Sequence, residues 1–315
     1  MTTAIKARPL VPGDLVRPSE AFLRRRRLVG GMVRLVLFAA ASLSVLVTAG
    51  IVYILISESL VFFRHVPIVD FLTDTQWTPL FANPRYGILP LLSGTLVVAG
   101  IALLVAIPAG TTLAIYLSEY APVKVRETIK PLLELLAGVP TVVYGYFALL
   151  FVTPLLRNFI PWLPGFNMLA PGLVIGIMIL PYVTSVSEDA MRAVPNDLRE
   201  GAFALGFTRS QTALTVVVPG AFSGITAAYI LGMSRAVGET MVVAIAAGQM
   251  PNLTLDPTQQ AATITAYIVQ VSLGDLPHGS IGYQTIFAAG LTLFVITLAF
   301  NMIGFYLRRR FREVY

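Results

Sequence analysis

The chain of 315 residues reads as long apolar runs separated by short polar and charged stretches. A bilayer core about 30 Å thick is crossed by about 20 helical residues rising 1.5 Å each, so runs of that length between charges mark candidate spans. Six are present, at about 35–57, 88–117, 132–156, 169–186, 219–247 and 283–307. All are apolar around the whole circumference, whereas membrane-spanning strands alternate apolar and polar over about ten residues. The pattern predicts an all-α integral membrane protein with six transmembrane helices. Pro108, Pro140, Pro154 and Pro181 fall within or near the ends of spans. Neighbouring helices can satisfy the backbone groups that proline frees, so these residues are expected to kink helices and not to end them.

Composition narrows the class. Hydrophobic residues make up 56% and charged residues only 12%, against about 25% charged in ordinary soluble domains. Most of the surface must therefore face lipid, and disorder, collagen-like repeats and coiled coils are excluded. There is no cysteine, so no disulfide, thiolate metal site or cysteine nucleophile is available. The two histidines, His65 and His278, are far apart, which leaves no expected metal site. Lys6, Lys124 and Lys130 are the only lysines and none follows glycine, so the phosphate-cradling P-loop is missing. The chain is expected to be no enzyme, to bind no cofactor of its own and to have no nucleic-acid partner.

Basic residues orient the spans by the positive-inside rule. With residues 1–33 as a cytoplasmic tail and 34–315 as the transmembrane domain, 18 of the 22 Lys and Arg lie on the inside and three, Arg64, Arg85 and Arg157, outside. Both termini are then cytoplasmic. The run Arg24 to Arg27 before the first span resembles the charged start of a signal peptide, but the apolar run of roughly 23 residues exceeds the 7 to 15 of such a peptide. A retained helix is expected. Asn252-Leu253-Thr254 matches a glycosylation triplet that is common by chance, and is read as plain loop.

Between the fourth and fifth spans, residues 187–218 are too polar to cross a membrane. Pro195-Asn196-Asp197 supplies a turn and an N-cap, and Leu198, Ala202, Leu205, Thr212 and Val216 recur at helical spacing. A short helix, a tight turn at Gly206 and a second short helix leading to Pro219 are expected. The order Glu200-Gly201-Ala202, Gly206 and Val216-Val217-Val218-Pro219 resembles the EAA loop of bacterial ABC importer permeases in both spacings. It departs in Gly201, Val216 and Val218, all small or apolar exchanges. The resemblance implies the type I importer permease fold and a coupling helix, with Glu200, Gly201, Ala202, Gly206 and Pro219, that docks on a separate ATPase subunit. The alternative reading of the loop is an amphipathic segment on the membrane surface.

The fifth span holds Ser234-Arg235-Ala236-Val237-Gly238-Glu239-Thr240-Met241. On one continuous helix Arg235 and Glu239 share a face. A charge near the bilayer centre costs at least about 2.5–3.5 kcal/mol, so such residues pair or line a polar path. Pairing would fix helix packing; an open path would use Arg235 to attract an anion and Glu239 to modulate it. Gly232, Ser234, Ala236 and Gly238 allow close helix approach, as at an interface between subunits.

This segment is similar to the fifth-helix motif of the permeases of the phosphate-specific transport system. Gly94-Thr95-Leu96, Tyr116 to Tyr120, Leu136 to Gly145 and Leu293 to Thr297 agree with that family, nearer its PstC type than PstA. The resemblance implies passage of phosphate past Arg235 and Glu239 and a heterodimer with a second permease. It further implies two ATP-binding subunits carrying ATP and Mg, an extracytoplasmic phosphate-binding protein, and a place in the bacterial inner membrane. The rival readings are a permease for molybdate or sulfate, an ion-coupled anion carrier with a protonated Glu239, and a scaffold signalling phosphate status. Glu134 is read as an interfacial partner of Lys130 in preference to a transport residue, Glu119 and Arg126 as loop charges that either seat the coupling helix or do nothing, and Tyr144 and Tyr146 as packing residues in preference to path-lining ones.

Overall fold

The computed structural model describes residues 20–277 and 279–310. Lys6, His278, Arg312 and tail residues 1–19 lie outside them. By its contacts the chain divides into Met1–Ile54 and Leu55–Tyr315. The first unit supplies most of α1 (Glu20–Phe63). This helix contains the first expected span and extends beyond it at both ends.

In the second unit follow α2 (Ile68–Thr73), α3 (Leu89–Ile115), α4 (Val123–Gly138), α5 (Thr141–Phe147), α6 (Thr153–Arg157) and α7 (Leu169–Arg192). Then come α8 (Asn196–Ala204), α9 (Arg209–Thr212), α10 (Val218–Gly220), α11 (Phe222–Val237), α12 (Met241–Ala246), α13 (Ile264–Gln270) and α14 (Ile281–Arg310). No strand occurs among the described residues; Trp77 and Tyr86 form an isolated antiparallel bridge. Four helices are long and apolar enough to cross a membrane, six when each of two bent pairs counts as one span.

The core is built on α3 against α7, with α11 and α12 beside them. Close contact between α3 and α7 depends on missing side chains. A Cβ at Gly176 would lie 2.9 Å from the Ala102 carbonyl, and one at Gly110 would lie 2.8 Å from Val183. In lipid, where apolar side chains gain nothing by leaving solvent, such close backbone approach is a main source of helix association. Gly232 also faces Val183, and Ala236 is buried in this core. Two members of the small-residue stripe of the fifth span, Gly232 and Ala236, thus pack within the chain, whereas Gly238 is exposed. A second cluster joins Phe62, Phe71, Trp77 and Tyr267 through edge-on aromatic contacts, with ring centroids 5.0–6.2 Å apart.

Two expected spans are not single helices. The third breaks at Val139 and Pro140, where α4 meets α5–α6 at 87°. Proline disfavours helical backbone at the residue before it, and Val139 is extended at φ −67°, ψ 131°. Pro140 is therefore a boundary, whereas Pro108 and Pro181 lie inside continuous helices as expected. The fifth region bends by 72° at Ala221 and ends as α11 at Val237, before α12 starts at Met241. The fourth helix runs on to Arg192, so the first residues assigned to the polar loop are helical. The segment between α12 and the sixth expected span, to which the apolar runs assign no helix, holds the largely buried helix α13, capped by the Thr263 hydroxyl.

Candidate functional site

Arg235 and Glu239 do not form the expected helical pair. Gly238 caps α11 with non-helical backbone, so Glu239 has left the helix before its side chain can return to Arg235. Its Oε1 instead accepts the amides of Met241 and Val242 at 3.2 and 3.4 Å, at the start of α12. Its own carbonyl accepts the Thr265 hydroxyl at 2.6 Å, which ties α13 to the break. Glu239 is buried. The positive end of α12 and two amide donors compensate the carboxylate locally, where a helix break in lipid would otherwise leave amides unsatisfied.

Arg235 is thereby left without an acid. Among the described residues it makes no ion pair, and its buried Nε has no hydrogen-bond partner. Its guanidinium lies 4.6 Å from the ring centroid of Tyr182 on α7. Such a contact stabilises a desolvated cation by up to about 2 kcal/mol but leaves the donors at the guanidinium edge unused.

Near the C-terminal end of α7 lies an acidic group that the apolar runs did not reveal. Glu188 is fully buried and bonds to Lys130 of α4, while Asp189 accepts from the same ammonium at 2.9 Å. Arg192 approaches the other Glu188 oxygen at 3.6 Å. Lys130 therefore pairs 58 residues along the chain and not with Glu134, as expected from their spacing. The bend at Pro140 swings α4 against α7, a contact invisible to local spacing.

The loop from α8 to α10 follows its expected course. Gly206 adopts φ +85°, the left-handed region open to glycine without a steric penalty. Thr208 and Gln211 then form a capping box that starts α9. Pro195, and not Asn196 or Asp197, occupies the N-cap of α8. Glu200, Gly201 and Pro219 are exposed, while Ala202 is buried and anchors the helix. Leu205 and Phe203 project outward at 78% and 47% exposure. One loop charge does seat this element: Arg199 grips both Glu119 oxygens at 3.0 and 3.3 Å and donates to the Met191 and Val194 carbonyls. Glu119 sits in the π-helical turn Tyr116–Tyr120 that ends α3, so α8 is tied to a spanning helix.

A cavity of about 860 Å³ is lined by Trp77, Phe81, Tyr146, Gln249, Gln260 and Gln270 among others, none of them charged. Tyr146 thus faces open space, while buried Tyr144 donates to the Leu136 carbonyl across the α4–α5 break. In the nearby loop, the Thr258 hydroxyl and amide hold the Asp256 carboxyl below the usual carboxylate range.

The family described as binding-protein-dependent transport system inner membrane component matches residues 106–313. The probable ABC transporter permease protein YqgH of Bacillus subtilis is 38% identical over 242 residues, covering 77% of this chain and 78% of that protein. The phosphate transport system permease protein PstC of Xylella fastidiosa is 32% identical over 75% of this chain and 77% of its own. That of Haemophilus influenzae is 34% identical over 72% and 77% respectively. In fold, the chain is similar to a chain of a bacterial alginate ABC transporter, with TM-score 0.60 and 17% identity over 91% of this chain and 99% of that one. A chain of the MetNI methionine ABC transporter gives TM-score 0.53 and 17% identity over 72% and 95%. These matches, with the multi-span helical bundle, show that the chain belongs to the family of inner membrane components of binding-protein-dependent transport systems.

Proposed function

We infer that this protein is the PstC-type permease subunit of an ABC phosphate importer. The PstC relatives and the family match support that reading. Arg235 is the cation on the phosphate path, and the observation that carries this role is its lack of a carboxylate partner among the described residues. An uncompensated guanidinium in low dielectric favours a passing oxyanion, and its planar fork of donors suits phosphate geometry. Glu239 contributes by holding the α11–α12 break in shape.

The subunit forms half of the pathway with a second permease, and an extracytoplasmic phosphate-binding protein delivers the solute. Two ATP-binding subunits hold ATP and Mg and dock on the loop carrying Glu200, Gly201, Ala202, Gly206 and Pro219, so this chain hydrolyses nothing itself. Residues 34–315 form the transmembrane domain in the bacterial inner membrane, with residues 1–33 and the C-terminus in the cytoplasm. The test is radiolabelled phosphate uptake, with and without the ATPase partners and with arsenate, sulfate and molybdate as competitors. Arg235→Gln should leave the complex assembled and abolish uptake; unchanged uptake sinks the pathway role. Uptake independent of the ATPases and collapsed by uncouplers would establish the ion-coupled carrier, and preference for molybdate or sulfate another oxyanion.

A further inference from the structure

Tyr182 has neighbours of opposite charge. Its ring carries the Arg235 guanidinium. The same side chain lines a cavity of about 210 Å³ with Lys130, Glu134 and Ser185, a wall to which Arg235 does not belong. Lys130 is occupied by Glu188 and Asp189. Glu134 makes no ion pair among the described residues, so Tyr182 borders both an acid without a cation and a cation without an acid.

Arginine is long and flexible, and in low dielectric its guanidinium gains strongly by reaching an acid. Collapse of Arg235 onto Glu134 would neutralise the charge an oxyanion needs. The Tyr182 ring contacts the guanidinium through its face, which leaves the edge donors free, and the same residue lines the cavity that Glu134 borders. We propose that Tyr182 is a positioning residue that presents Arg235 to the oxyanion and screens it from Glu134. The proposal rests on the place of Arg235 in the phosphate path.

The complete importer in proteoliposomes, supplied with ATP, reads this out as phosphate uptake against phosphate concentration per assembled complex. Tyr182→Phe keeps the ring and should retain KM within about twofold, whereas Tyr182→Met keeps bulk without the ring and should raise KM about tenfold with the maximal rate little changed. Tyr182→Leu serves as a second ringless variant should the Met variant assemble poorly. Glu134→Gln alone should be neutral and, combined with Tyr182→Met, should restore KM, a rescue that a packing defect would not show. A normal KM in both ringless variants, an equal loss in Tyr182→Phe, or no rescue by Glu134→Gln overturns the proposal. Normal uptake by Arg235→Gln would instead remove Arg235 from the path, so the two failures are distinguishable.

Discussion

At Glu239 the decisive group is a backbone amide and not the arginine four residues earlier. Loss of a side-chain cap typically weakens a helix start by about 1 kcal/mol. Glu239→Gln keeps an oxygen able to accept the Met241 and Val242 amides, so it should assemble and transport near normally; Glu239→Leu removes the acceptor and should lower thermal stability by roughly that amount and reduce uptake. Equal damage from both substitutions would show that the charge, not the cap, is required. Arg235 illustrates the complementary case: its chemistry was legible from residue type and depth, but its freedom from Glu239 depends on where α11 stops.

At the scale of elements, Arg199 ties the α8 loop to the end of α3. Removing Arg199 leaves Glu119, at 9% side-chain exposure, and the Met191 and Val194 carbonyls without their donor. For charged hydrogen bonds the expected loss is on the order of 2–3 kcal/mol. In Arg199→Ala the ATPase should still co-purify, yet ATP hydrolysis should uncouple from uptake because α8 no longer moves with α3. Gly206→Val acts differently: at φ +85° a β-branched residue is strained, the turn itself changes, and ATPase co-purification should fall. Full coupling in the first variant or normal co-purification in the second would refute these roles. The order helix, glycine turn, helix was readable because glycine and helical spacing are local signals. The Lys130–Glu188 contact was not, because it needs the bend at Pro140 to bring α4 onto α7.

For the whole molecule, the proposed orientation places Gly165 and Asp256 outside and Gly201 inside. The absence of native cysteine makes the test clean. In intact cells, an impermeant thiol reagent should label Gly165→Cys and Asp256→Cys and spare Gly201→Cys until the membrane is opened. Labelling of position 201 from outside would invert the topology.

The sequence by itself determined the class, the approximate places of the spans, the glycine turn and the residues whose charge is expensive in lipid. These follow from composition and local periodicity, which act over a few turns of chain. Only the tertiary structure decided which helices break, that Glu239 serves α12, that Glu188 and not Glu134 holds Lys130, and that Tyr182 meets Arg235. Those outcomes depend on pairing between segments tens of residues apart. In a medium without water, a buried polar group must find its partner wherever packing places one, and spacing along the chain does not disclose it.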